Sequence, residues 1–215
     1  NGNYLIIDGG IDNQHGSLTW GDGTKGVCGK ISVDNSLIEK DRLSKPSIVK
    51  VLSNSNYFVY FSDYFDSKNF IYGAFTFCKG DSGLSGYLSY ENSLIGFSPG
   101  KIIELKNDKC LMISGSRATW CNTNTGLRDF IANPKSINDK SFWNQYSSDM
   151  QVRELKNGNY LVVSTDGFYT RGSVTLLEKD TEFYGQISAS NSIVGDQPGD
   201  NIGSNGVIEL PNGNI

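Results

Sequence analysis

The tetrapeptide Asn1-Gly2-Asn3-Tyr4 returns as Asn157-Gly158-Asn159-Tyr160, with degenerate copies between and after, and this recurrence restricts the chain to an array of like units. The copies end at Tyr4, Tyr57, Cys110, Tyr160 and Ile215, spaced 50 to 55 residues apart. That period falls in the range of four-stranded propeller blades.

Three further markers keep the same phase. Asn35-Ser36-Leu37-Ile38 is matched by Asn92-Ser93-Leu94-Ile95 and by Asn191-Ser192-Ile193-Val194. The run Gly16-Ser17-Leu18-Thr19-Trp20 is matched by Gly73 to Phe77, Ser116 to Trp120 and Gly172 to Leu176. An apolar segment precedes each Asn-rich turn: 48–51, 102–105, 152–155 and 207–210. Each unit therefore reads as four short strands of β-branched, aromatic and aliphatic residues punctuated by Gly, Asn, Asp and Ser, with no helical periodicity. The clearest hairpin is Glu154 to Val162, where Asn157-Gly158 is expected to form a tight primed turn.

The fold expected is all-β: a β-propeller of four repeats of four antiparallel strands, with units at about 1–53, 54–106, 107–156 and 157–211, and 212–215 starting a fifth copy or closing the ring. Either four blades close with a short overlap, or the repeats belong to a larger propeller in a longer chain. Closure would pair the strand 4–8 with 207–210 and leave no open edge.

Composition fits a globular chain. Its 215 residues are ample for a core, and 25 Gly with 5 Pro suit tight turns rather than disorder. A net charge of −4 and the absence of a Lys/Arg cluster among aromatics speak against nucleic acid. No apolar run approaches membrane-spanning length and no signal peptide opens the chain, so membrane insertion is not expected.

Candidate sites come from positions that repeat and from positions that do not. Glu104, Glu154 and Glu209 occupy one blade position, with Lys50 breaking the series; they either line a channel or rim as a polar-ligand site, or form a solvated outer face. Trp20, Phe77, Trp120 and Leu176 read as blade-to-blade packing. Two inserted stretches are non-repeating: Asp139 to Tyr146, with Phe142, Trp143 and Tyr146, and Asp63 to Tyr72, with Tyr64 and Phe65. Aromatics among Asn, Gln and Ser stack on sugars or anchor a protein partner, or else pack under a long loop.

Catalytic and metal constellations are thin. His15, the sole histidine, lies in a polar loop, no Ser/His/Asp set assembles, and no zinc or calcium spacing occurs, so neither cofactor nor metal is expected. Asp22-Gly23-Thr24 and Asp166-Gly167 are turn sequences, and Asp63 with Asp66 serves a glycosidase only if two carboxylates converge. Of the four cysteines, Cys110 and Cys121 flank a short hairpin and form either a cross-strand disulfide or two of four small buried thiols alongside Cys28 and Cys78. No Asn-x-Ser/Thr sequon occurs, which agrees with a bacterial origin.

The order Asn-Gly-Asn-Tyr, then Gly-x-Leu-Thr-Trp-Gly-x-Gly-Thr, then Asn-Ser-Leu-Ile and Gly-Asp-x-Ile-Gly-Ser-x-Gly-Val resembles the tandem repeats of large bacterial surface proteins related to filamentous haemagglutinin. The likeness covers most of the chain and is weakest at 133–146. It implies an exported, repeat-built, non-catalytic segment on the cell surface, to which no active-site residue carries over. Two function classes result. One is a binding or structural module that contacts a glycan or a surface protein through rim loops. The alternative is a polysaccharide-acting hydrolase or lyase, which non-repeating acids on one rim would favour; here the acids mostly follow the repeat.

Overall fold

The computed structural model describes residues 2–9, 16–40, 45–66, 71–96, 101–114, 117–126, 136–138, 150–165 and 171–211. These residues form strands and turns only, and the chain divides into two compact units. Unit one comprises Asn1–Glu104 and Cys121–Asn133; unit two comprises Leu105–Trp120 and Pro134–Ile215.

In unit one, β1 (Tyr4–Asp8), β2 (Ser17–Gly21) and β3 (Ser36–Ile38) form an antiparallel sheet. The second sheet runs β4 (Pro46–Val51), β5 (Tyr57–Asp66), β6 (Ile71–Cys78) and β8 (Ser93–Ile95). The two-residue β7 (Gly86–Tyr87) leaves the second repeat to pair in parallel with β3 of the first. β9 (Lys101–Glu104) lies beside β4.

In unit two, β10 (Lys109–Ser114), β11 (Arg117–Asn122, whose last two residues are counted with unit one) and β12 (Ser136–Asn138) are consecutive neighbours in one sheet. The other sheet orders β13 (Gln151–Glu154), β14 (Tyr160–Ser164), β15 (Ser173–Leu177) and β17 (Ser192–Val194). β16 (Gly185–Gln186) again crosses to the preceding repeat, parallel to β12. The later sheets thus begin with the strand written before the Asn-rich turn, and two of the sheets end with a strand lent by the next repeat.

The expected all-β class and tandem organisation hold. The sheets are small and antiparallel apart from the lent strands, and no closed barrel or ring of strands is formed among the described residues. Within its own sheet β1 pairs with β2, and 207–210 is not a strand among the described residues, being fastened by side chains within unit two. The Asn157-Gly158 turn also differs from expectation. Gly158 has φ +86° but Asn157 keeps an ordinary φ, because its Oδ1 accepts the Asn159 N–H while Gly158 N–H closes on Leu155 O. A three-residue loop with a left-handed Gly results. The primed geometry appears at Asn107 and Asp108, with φ +59° and +58°.

The Asn-Ser marker is a hydrogen-bond relay repeated three times, running from an exposed turn to a buried or half-buried Thr–Ser bond. Ser32 N–H donates to Asn35 Oδ1, Ser36 Oγ donates to the same oxygen, and Asn35 Nδ2 donates to Lys30 O. Since the single Ser36 hydroxyl proton is used on Asn35, Thr19 Oγ1 must be the donor in the 2.6 Å bond to Ser36 Oγ. The same set joins Thr76, Ser93, Asn92 and Ser89, and Thr175, Ser192, Asn191 and Ser188. The marker residues recur because the relay satisfies groups that burial would otherwise leave unpaired.

A neighbouring position is less well served. Ser17 and Ser173 bury hydroxyls that have no partner among the described residues, whereas the equivalent residue in the second repeat is Ala74. Ser17→Ala and Ser173→Ala are each expected to stabilise the chain by about 1 kcal/mol, since an unsatisfied buried hydroxyl costs roughly that much or more. Urea denaturation checks this, and a loss of stability would mean that the hydroxyls are solvated.

Candidate functional site

The cross-strand pair at the head of each hairpin varies in composition from repeat to repeat. Tyr4 faces Gly21, where a Cβ would come within 2.3 Å of the Tyr4 ring. Tyr57 faces Cys78, and Tyr160 faces Leu177. Cys110 and Cys121 hold this place in the third repeat and are disulfide-bonded, while Cys28 and Cys78 are free.

Cys78 is buried beneath the Tyr57 hydroxyl, and burial pushes its thiol up to about 12. The thiol stays protonated when folded and ionises more readily when unfolded, so this group's contribution is fully present below the ordinary value of 9.0 and is lost as pH rises from there toward 12. A thiol reagent at pH 8 without reductant is expected to modify exposed Cys28 alone, with Cys78 reacting only in denaturant. Two equivalents taken up by native protein would show that the core opens.

The repeating carboxylates reach back one repeat. Glu104 Oε1 accepts the Ser53 N–H at 2.8 Å, and its other oxygen lies 3.8 Å from Lys50 Nζ. Glu209 Oε1 accepts the Lys156 N–H at 2.8 Å, while Glu154 pairs with Lys106, whose ammonium it holds above its ordinary pKa. Lys50, which interrupts the acid series, is therefore itself a partner in it. Arg153 adds a bond to Val207 O. These acids clasp turn to turn along each unit, a role that strand alternation cannot disclose.

Amides and indoles make the second half of the clasp. Asn3 Nδ2 and Trp20 Nε1 both donate to Gly80 O, Asn54 and Asn56 donate to Thr123 O, and Trp120 Nε1 donates to Phe183 O. Left-handed glycines make room for the aromatics: a Cβ on Gly83 would stand 2.4 Å from Trp20 Cβ, and one on Gly126 would stand 2.2 Å from Phe77 Cγ. Trp20 and Phe77 thus meet the following repeat within unit one.

The remaining candidates are dispersed. Tyr64 and Phe65 are half-buried on β5, Tyr64 within the irregularity that separates Phe61 from Phe65, and Tyr64 packs on the core cluster. Phe142, Trp143, Tyr146 and His15 lie outside the described residues, as does Asp166. Asp63 accepts a bond from Ser62. Asp22 is held below the ordinary carboxylate range by Thr24, whose hydroxyl and N–H both donate to it, and works as a turn residue.

A cavity of about 310 Å³ runs along the seam of the first two repeats, lined by Tyr4, Trp20, Val51, Tyr57 and Gly80 among others. It offers apolar surface and phenols but neither a carboxylate nor an imidazole, so it can hold a small group without moving a proton at neutral pH. Among the described residues no group of three His, Cys, Asp or Glu is arranged for a metal, and no helix is long and apolar enough to cross a membrane.

The family model described as a repeat of unknown function (DUF5650) matches residues 1–43, 51–104 and 154–204, which leaves the divergent third repeat unmatched. No curated protein and no solved structure matches. With three copies spanning more than half of its length, this chain belongs to the DUF5650 repeat family.

Proposed function

We propose that this chain is a non-catalytic binding or structural module of a secreted or surface-displayed bacterial adhesin-like protein, of the kind related to filamentous haemagglutinin. Its sheets are read as blades of a propeller-like stack, either closing with a short overlap or belonging to a larger one. The stack presents rim loops to a glycan or a surface protein.

The observation that carries this reading is where the repeating polar residues go. Glu104, Glu154 and Glu209 are occupied between repeats, and the Asn-Ser-Thr relay is occupied inside them. The residues proposed for recognition are the non-repeating aromatics Tyr64 and Phe65 and, from the sequence, Phe142, Trp143 and Tyr146. The oxidised Cys110 and Cys121 support an oxidising destination outside the cytoplasm.

The test is binding of the purified chain to glycan and extracellular-matrix protein arrays, repeated with Tyr64→Ala/Phe65→Ala and Phe142→Ala/Trp143→Ala. Binding that falls at least tenfold in one double variant, with the fold retained, is the expected result. Turnover of a polysaccharide that disappears on Glu104→Gln or Glu154→Gln would overturn the reading in favour of an enzyme.

A further inference from the structure

A second cavity, of about 230 Å³, lies on the seam of the first two repeats, wholly inside unit one. Trp20, Val27 and Leu84 give it an apolar wall, and Asp34, Ser82 and Ser85 give it a polar one. Trp20 is held in place, since its Nε1 donates to Gly80 O and the Gly83 turn is pressed against it. Asp34 is equally fixed: its N–H donates to Ser32 Oγ, inside the turn that Asn35 ties to Ser32 and Lys30.

Glu104, Glu154, Glu209 and Asp22 spend their carboxylates on the fold. The Asp34 carboxylate is exposed and takes no hydrogen bond or ion pair among the described residues. Ser85 has no partner there either, and Ser82 gives its proton to Asp81 while its oxygen stays able to accept. Exposure belongs to this position in the repeat. Glu91 stands at it in the second repeat, on the same Ser–Asn turn, and is exposed and unpaired among the described residues. That repeat has neighbours on both sides, Trp20 of the first against Gly83 and the Gly126 turn of the third against Phe77. Phe77 there takes the place of Trp20. The fourth repeat carries Leu176 and Ser190 at the two positions, and the third carries Pro134 in place of the acid.

These walls define what fits. The volume lies below the roughly 300 Å³ at which pockets for drug-sized ligands begin, so the occupant is a single small ring. It must turn an apolar face to Trp20 and Leu84, donate to a carboxylate, and exchange hydrogen bonds with two hydroxyls. A pyranose does all three, having a C–H face and a rim of hydroxyls that both donate and accept. A quaternary ammonium does not, because it donates nothing to the serines and is held by a cage of aromatic faces, where this wall has one.

We propose that this cavity is a subsite for one sugar ring, stacked on the Trp20 indole, with hydroxyls donating to the Asp34 carboxylate. The subsite rests on the reading of the chain as a binding module, and adds to it a ligand class and a location apart from the loops 63–72 and 139–146.

The test is a titration followed at the indole N–H resonances of isotope-labelled chain, with the methyl glycosides of glucose, galactose and N-acetylglucosamine as probes and choline as the contrast. Trp20→Leu identifies the Trp20 resonance, and Asp34→Ser removes the acceptor. Each introduces the residue that the fourth repeat carries at that position, and thermal melts verify the fold of both. At least one glycoside is expected to shift the Trp20 resonance saturably, and Asp34→Ser to weaken that binding tenfold or more, as loss of hydrogen bonds to a charged acceptor does. No shift with any glycoside, equal affinity in Asp34→Ser, or a shift with choline alone overturns the subsite. Array binding that still depends on Tyr64/Phe65 or Phe142/Trp143 would then leave the binding-module reading standing, whereas polysaccharide turnover overturns that reading whatever Trp20 reports.

Discussion

Phe58→Ala is expected to lower stability by about 3–5 kcal/mol, the range for deleting a large buried ring. Phe58 is fully buried, stacked on Phe75 with centroids 5.2 Å apart and meeting Phe77 edge-on at 5.3 Å. Such pairs contribute beyond their buried area, and a close-packed interior fills the cavity left behind only in part. Phe77 is also the ring over which the Gly126 turn of the next repeat is seated, so the loss spreads across a repeat boundary inside unit one. Leu111 and Leu161 hold the position of Phe58 in later repeats. Phe58→Leu is therefore expected to cost only about 1 kcal/mol, as near-volume-conserving swaps do. Urea unfolding of both variants checks this; an alanine variant as stable as the leucine one would mean that the ring is not supporting its neighbours.

The second large effect is expected at Gly83. Two costs coincide there: φ is +66°, a region where an L side chain costs about 1–2 kcal/mol, and a Cβ would overlap Trp20 Cβ, an overpacking that costs a further 1–3 kcal/mol or so. Gly83→Ala should therefore destabilise by about 2–5 kcal/mol. Gly26 supplies the comparison, because its φ is nearly the same while the space around it is open. Gly26→Ala should cost the backbone term alone, about 1–2 kcal/mol. The difference between the two, read from parallel denaturation curves, measures how tightly the second repeat is pressed on the first. Equal losses would mean that the turn shifts freely and the packing of Trp20 contributes little.

How much of this was legible in the sequence depends on whether a residue's partner is local. The Asn-Gly turns, the Asn-Ser-Leu strands and the Thr-aromatic strands announce themselves because turn chemistry and alternation are local, and the repeat phase then aligns them. The inter-repeat destiny of Trp20 and Phe77 was also readable, since a large apolar side chain recurring once per unit needs a neighbouring unit to bury it. Glu104 and Glu209 were not readable. Alternation places them on a face but says nothing about the backbone N–H of Ser53 or Lys156 about fifty residues earlier. The same holds for Lys50, which looks like a break in an acid series until its distance to Glu104 is known. Asn157 was misread for a related reason. Its own side chain, by accepting the Asn159 N–H, selects a three-residue loop over the two-residue turn that Asn-Gly usually signals.

The lending of β7 to β3, and of β16 to β12, has a consequence for how such a gene changes length. A cut at a repeat boundary separates a borrower from its lender, because two of the sheets take their last strand from the next repeat and the clasps of Glu104, Glu154 and Glu209 each cross from one repeat to another. Loss or gain of a whole period is different. It rejoins each borrower to an equivalent lender, whatever the point of the crossover. Unequal recombination within the repeats can therefore shorten or extend the array while preserving its bonding pattern, whereas loss of part of a period that includes a lent strand leaves a borrower without its lender.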